Sequence, residues 1–441
     1  MRIGKSAAAL GLAALVFAAA PTPSSADAYR SFGRFSFFAQ AAQRSIPGVG
    51  SDTLSELIGT FTLRSAAPDT GGFEYGVDTR FAGYPSAERR KQRASIYEAY
   101  GGWSTAGGIF RIRAGQVWLD ELGALGSVGG VAAEARLAKD LPLGLGTLRL
   151  GLFCGLEPKI LDPGYVSGIS KFGSYLSLEA GSGRRHVVGY VNLRNQGVTE
   201  GSVLLFSNYI PVRKSFFLYQ SAEYDLQGPA GRGSSRLTYF FINARYAPVR
   251  AVELQAVYHH GISVDTRLIA DSLREGRPVS ESLLEGYLFE SIGGRLTLRP
   301  WRNFQVFAGY AQDRTRKEEE KRDRFNFGIF SPNLLRTGLD LTVSDTRFKN
   351  AAGSTSDAWY FSLGRDLGRH LYLEAYYRTS VAFLRLSNFG VLVERRPYSH
   401  LYGLSSTIRL GRRASLLVIL ERTNEDVQNE TRLLSGLSYR F

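Results

Sequence analysis

The chain has 441 residues, with 49 Gly, 23 Tyr and 27 Phe, one Met, one Cys and a formal net charge of +14. No apolar run beyond Asp27 is long enough for a membrane helix, which excludes a helical inner-membrane bundle, and the lone Cys154 excludes an intrachain disulfide, a thiolate metal centre and a heme-attachment motif. The cations, 45 Arg and 9 Lys, are scattered singly through strand-like segments and form no run or helical stripe, so no nucleic-acid partner is expected.

In chain order, a secretory signal comes first. Arg2 and Lys5 make a basic start, Ala7 to Ala20 an apolar stretch, and Ser24-Ser25-Ala26 or Ala26-Asp27-Ala28 a small-residue cleavage site. Residues 1–26 are read as this signal and 27–441 as the mature unit, whose charge is +12 without Arg2 and Lys5. With no Cys near the cleavage site, no lipid anchor is expected.

Alternation dominates the rest. Phe110, Ile112 and Ala114 oppose Arg111 and Arg113; Leu296 and Leu298 oppose Arg295, Thr297 and Arg299. Leu339, Leu341 and Val343 oppose Asp340, Thr342 and Ser344; Leu371, Leu373 and Ala375 oppose Tyr372, Glu374, Tyr376 and Arg378. Successive side chains of a strand point to opposite faces, so each segment has one apolar and one polar side. The segments fall near 31–42, 54–64, 73–82, 94–104, 108–117, 130–138, 146–154, 172–181, 184–194, 199–210, 214–226, 234–247, 249–261, 287–299, 303–314, 322–330, 335–346, 356–366, 369–380, 398–410, 413–423 and 430–441. They run to about ten residues, the length of a tilted membrane strand, and tight Gly- or Pro-bearing turns alternate with longer polar loops. The expected fold is all-β: one closed antiparallel transmembrane barrel of about 22 strands, within a range of about 18–22, with no N-terminal plug and both termini on the short-turn, periplasmic side. Trp103 and Trp301 fall at short-turn ends, Trp118 and Trp359 at long-loop ends, as interface residues would.

The last strand reads Leu433-Leu-Ser-Gly-Leu-Ser-Tyr-Arg-Phe441, with Leu433, Leu437, Tyr439 and Phe441 on one face. In this motif the sequence resembles bacterial outer-membrane β-barrel proteins of porin type. The resemblance implies that Leu437, Tyr439 and Phe441 form a signal for the barrel-assembly machinery, and it places the protein among outer-membrane lipid and lipopolysaccharide. Arg113-Ala-Gly-Gln116 followed by the Gly-rich Leu122–Gly130 is similar to the Gly-Arg-Gln and Gly-rich loop region of some porins; no site is assigned from it, because the residue order departs from that pattern.

Strand parity selects Arg111, Arg113, Arg149, Arg194, Arg245, Arg295, Arg299, Arg378 and Arg409 as lumen-facing, together with Glu74, Asp78, Glu253, Asp340 and Glu374. Two readings stand side by side: an electropositive channel that favours anions, and Arg–acid pairing that only satisfies a polar interior. The five histidines, His259-His260 included, accompany no Gly-x-Ser-x-Gly elbow and no spaced metal partners, so neither catalysis nor a metal or other cofactor is expected. Residues 262–285 are expected to hold a short helix, either folded into the pore or exposed as a cap. The alternating charges of Arg314–Arg324 read as a solvated loop near lipopolysaccharide phosphates.

The function expected is passive diffusion of small hydrophilic solutes. Large barrels leave an open channel or hold a plug, so the alternative is a structural sheath around a partner such as a multiheme cytochrome or a lipoprotein. Inward-folded loops would favour the channel and a clear wide lumen the sheath.

Overall fold

The structure is a computed structural model that describes residues 31–65, 71–86, 92–159, 162–212, 215–227, 235–275, 279, 287–315, 318–350, 353–388 and 391–441; the signal segment 1–26 lies outside the described residues. The strands are β1 Ser31–Ile46, β2 Gly50–Ser65, β3 Gly72–Gly83, β4 Arg93–Ser104, β5 Phe110–Trp118, β6 Ser127–Leu141, β7 Gly146–Pro158, β8 Tyr165–Glu179, β9 Arg185–Asn195, β10 Val198–Val212, β11 Phe216–Gln227 and β12 Arg236–Val249. There follow β13 Val252–Ser263, helix α1 Thr266–Arg274, β14 Tyr287–Trp301, β15 Phe304–Thr315, β16 Glu318–Ser331, β17 Leu339–Asn350, β18 Thr355–Leu367, β19 Leu371–Asn388, β20 Val391–Arg395, β21 Tyr398–Arg409, β22 Ala414–Glu425 and β23 Asn429–Arg440.

Every pairing is antiparallel. β20 pairs only with the tip of β19, from Leu384↔Arg395 to Asn388↔Val391, while the body of β19 pairs β21. The other 22 strands form a ring that β1 and β23 close, from Arg34↔Arg440 to Ser45↔Asn429. Closure extends to the chain terminus: Gly33 and Phe441 exchange two backbone hydrogen bonds of 3.1 Å. The Phe441 ring occupies the space in which any side chain at position 33 would stand, which is why Gly33 is needed there.

Alternation gives the wall two faces. One carries partly exposed apolar residues on strand after strand, among them Ile112, Leu152, Leu176, Val188, Leu254, Ile292, Phe361, Leu404, Leu420 and Leu437. The other carries most of the arginines and carboxylates, and the segment Asp120–Gly126 packs onto it. A packed segment fixes that face as the inner one. A closed ring has no unpaired strand edge, and an apolar outer face needs lipid, so the fold is that of a bacterial outer-membrane barrel of porin type. Among the described residues no helix is long and apolar enough to cross a membrane.

Each expected segment coincides with a barrel strand. Many strands run longer than expected, with 16 residues in β1 and β2 and 18 in β19; polar residues such as Ser51, Asp52 and Thr53 continue the ladder beyond the apolar band. Stretches expected as loops are partly strand: 157–171 enters β8 at Tyr165, the charged 314–324 stretch enters β16, 347–354 begins within β17, and 382–397 contains the β19–β20 hairpin. Opposite charges alternating across the β15–β16 register, such as Asp313↔Arg322, suit a ladder as well as a solvated loop.

Candidate functional site: the inner wall

β5 is only nine residues long, and the connection that joins it to β6 beyond the Trp118↔Ser127 pair turns inward. Leu119 donates its backbone N–H to Gly126 at 3.0 Å, closing a short loop of 3-10 turns. A side chain at position 126 would strike the Leu119 carbonyl, so the closure requires glycine. Leu119 and Leu122 are fully buried in one cluster with Val128, Ile169, Tyr175, Val187, Val191, Leu193, Val203 and Leu205, the inner faces of β6 and β8–β10. Gly189 leaves room for Leu122: a Cβ there would lie 2.5 Å from the Leu122 side chain. Burial of two leucines is worth about 1.5–3 kcal/mol each.

Around this loop the inner face of β2–β9 is a chain of guanidinium–carboxylate contacts. Arg64 binds Glu98 at 2.7 Å and Arg111 reaches Glu74 at 3.3 Å. Arg149 donates to Glu134 at 2.7 Å, whose other oxygen accepts from the Tyr175 hydroxyl at 2.9 Å. Glu121, carried by the loop, pairs with Arg185 at 2.7 Å. Burial pushes the Glu121 carboxyl above its ordinary value, and neighbouring Glu134 pushes the same way against the pull of Arg185. Arg113 lies over the Tyr100 ring, 5.5 Å from its centroid. Asp78 faces inward opposite Thr62.

Further round, Arg299 binds Glu253 at 2.9 Å, Arg245 stands opposite Gln255, and Arg295 stacks 3.8 Å from the Phe307 ring centroid. On the last strands the Tyr372 hydroxyl lies over Gly364, the register partner of Asp340 and Glu374, and Arg409 reaches Asp366 at 3.6 Å. Arg378 shares this inner face with Glu374 and Tyr376. Among the described residues, Arg113, Arg245, Arg295 and Arg378 have no carboxylate within ion-pair distance.

Arg194 is a correction. It lies on the outer face with Val188 and Tyr190, its guanidinium 5.3 Å from the centroid of the outward Phe172 ring. β9 misleads because its inner residues Val187, Val191 and Leu193 are apolar, buried under the inward loop. Apolar residues therefore mark the lumen side on this strand. Sequence reasoning also missed Arg64, Glu98, Glu121, Glu134, Arg185 and the Arg432–Glu421 pair. Glu134 opposes Arg111 in the β5–β6 register, a pairing that only the structure shows.

Leu437, Tyr439 and Phe441 face outward at the closing seam, with Phe441 6.2 Å from Tyr439 and 6.5 Å from Phe61 between ring centroids. The helix expected within 262–285 is α1. It crosses from the β13–β14 connection to β9 and β10, where Asn195 donates to Asp271 at 3.0 Å, Arg267 reaches Glu200 at 3.5 Å, and Ile269 is fully buried.

No family model matches the sequence, and no curated protein matches it. Among solved structures the fold is similar to Pseudomonas aeruginosa OpdQ, at 9% identity and a TM-score of 0.43, covering 93% of this chain and 98% of that one. It is similar to Acinetobacter baumannii OccAB2, at 11% and 0.45 with 93% and 98% covered. It is also similar to a BenF-like porin from Pseudomonas fluorescens Pf-5, at 12% and 0.45 with 93% and 99% covered.

Proposed function

We propose that the protein is a passive outer-membrane channel for small hydrophilic solutes, with a preference for anions. The observation that carries this reading is the inward loop Asp120–Gly126, packed on the inner wall of a closed 22-strand ring. A barrel of this size without inward segments would pass or house something large; a loop fixed inside narrows the path to solute dimensions and occupies space a sheathed partner would need. α1, anchored to β9 and β10, supports the same reading. Anion preference rests on Arg113, Arg245, Arg295 and Arg378, which among the described residues have no carboxylate within ion-pair distance. Arg64, Arg111, Arg149, Arg185 and Arg299, by contrast, each face a carboxylate within ion-pair distance and are neutralised locally. Diffusion through water needs no catalytic group.

Planar-bilayer recording of the refolded protein tests the reading. Discrete conductance steps, with a reversal potential in a salt gradient on the anion side, are the expected result. A silent protein, or a uniformly very large pore, would favour a sheath for a partner protein.

A further inference from the structure

The inner wall of β10–β14 differs from the rest of the lumen: it is lined with rings. Tyr209 meets Phe217 edge-on at 5.3 Å between centroids. Tyr219 meets Phe241 at 5.9 Å, Phe241 meets His259 at 6.0 Å, and His259 meets Phe289 at 5.3 Å. All belong to the inner face, since they share strand parity with Arg185, Arg245, Glu253 and Arg295. The contacts between Tyr219 and Phe241, and between His259 and Phe289, are diagonal across the register, so the series climbs. Tyr219 is three residues from the short-turn end of β11, and Phe289 is two residues from the long-loop end of β14. The rings thus form an oblique track between the two openings.

None of these rings is fully buried. Around the loop, by contrast, inner apolar residues such as Val191 and Leu122 are sealed from water. Partly exposed rings beside a water-filled path carry an unfavourable hydration cost that packing does not remove. Neutral hydrogen-bonding side chains interleave with them on the same face. Asn243 is the register partner of Tyr219, Ser221 of Phe241 and Ser291 of His259, and Gln255 donates to Asn243 at 3.1 Å.

We infer that this track binds neutral pyranose sugars, a substrate class for the channel; the inference rests on the channel reading only for transport, not for binding. A pyranose ring has a face of C–H groups that lies on an aromatic ring and a rim of hydroxyls that both donate and accept. Rings flanked by amides and hydroxyls meet both needs at once. A purely aromatic solute would use the rings and leave the amides and hydroxyls without partners. A small inorganic anion would accept from the amides and hydroxyls and leave the rings uncovered.

The test is saturation-transfer NMR and equilibrium titration of the detergent-solubilised full chain with cellobiose and maltotriose, with mannitol as a polyol that has no ring. Both sugars should bind and mannitol should not. Tyr219→Ala and Phe241→Ala, each losing one ring contact, should weaken sugar binding about tenfold. Phe240→Ala, which removes an outward ring on the same strand, should leave it unchanged. The heat-dependent gel mobility of each variant reports whether the barrel is folded. Absence of sugar binding, equal binding of mannitol, or full affinity in folded Tyr219→Ala and Phe241→Ala would each overturn the inference. A protein that conducts ions but ignores sugars sinks this inference alone; one that binds sugars but never conducts sinks the channel reading alone.

Discussion

Arg149 donates from Nη1 to Glu134 Oε1 at 2.7 Å, and the pair sits on the lumen side with the carboxylate side chain only 7% exposed. The same carboxylate accepts from Tyr175, so one acid holds partners on β7 and β8. Glu134→Gln keeps the size and removes the charge, which uncovers the Arg149 cation. The variant should lose about 1–3 kcal/mol of stability, the cost of weakening a charged hydrogen bond inside the wall. Its reversal potential should move further toward anions. Urea unfolding followed by tryptophan fluorescence checks the first; bilayer recording checks the second. An unchanged reversal potential would mean that Glu134 does not face the conducting path.

The four inward arginines that have no carboxylate within ion-pair distance among the described residues make a sharper test of selectivity. Replacing Arg113, Arg245, Arg295 or Arg378 with Gln should move the reversal potential toward cations, with the shifts adding for the well-separated Arg113 and Arg378. Arg194→Gln should leave it where it was, because that guanidinium lies outside over Phe172. A shift from Arg194→Gln comparable to that from Arg113→Gln would contradict this assignment of faces.

The barrel itself was legible because a two-residue period needs no long-range knowledge: Phe110, Ile112 and Ala114 against Arg111 and Arg113 already give the two sides of β5. The seam was legible in Leu437, Tyr439 and Phe441, which share the outer face as expected from their spacing. The inward loop was not. Asp120–Gly126 has the composition of an ordinary surface connection, and its fate depends on Gly189, more than sixty residues away, leaving space for Leu122. That burial also inverted the apparent parity of β9 and sent Arg194 to the wrong side. Pairing partners were only half legible. Arg299 and Glu253 were both selected, but their contact joins strands whose register the sequence does not print.

Leu122 is fully buried against the inner wall, so Leu122→Ala should weaken docking of the loop by about 2–5 kcal/mol. A loop that leaves the wall intermittently widens the path. The expected readout is a larger mean conductance with open-channel flicker, while Leu335→Ala, at a residue 88% exposed, should change neither. Unaltered conductance in a folded Leu122→Ala protein would place the narrowest point elsewhere.

The seam gives an assembly test. Phe441 packs on Gly33, Phe61 and Tyr439, so Phe441→Ala removes the ring that fills the closing junction. The ring is only partly buried, so its loss should cost less than the roughly 3–5 kcal/mol of a core aromatic. The fraction of chain that migrates as folded barrel in an unheated gel should fall, both on refolding in detergent and in cells. A larger fall in cells than in detergent would add that the assembly machinery reads this residue; equal falls would assign it to packing alone.

The loop also gives a pH dependence with a definite sign. Burial raises the Glu121 carboxyl above its ordinary value when the loop is docked, so the docked state holds the proton more tightly than the undocked one. Between the ordinary and the raised value, the docked loop binds more protons, and docking weakens as pH rises through that window. Acidification should therefore reduce open-channel flicker, and return to neutral pH should restore it. Other carboxylates titrate nearby, so the informative quantity is the difference from Glu121→Gln. This variant keeps the loop neutral at every pH and should lose the part of the pH response that belongs to Glu121, though it also gives up the charge that meets Arg185 at 2.7 Å. If Glu121→Gln and the original chain respond to pH identically, in both flicker and amide exchange across residues 119–126, the buried carboxyl does not control the loop.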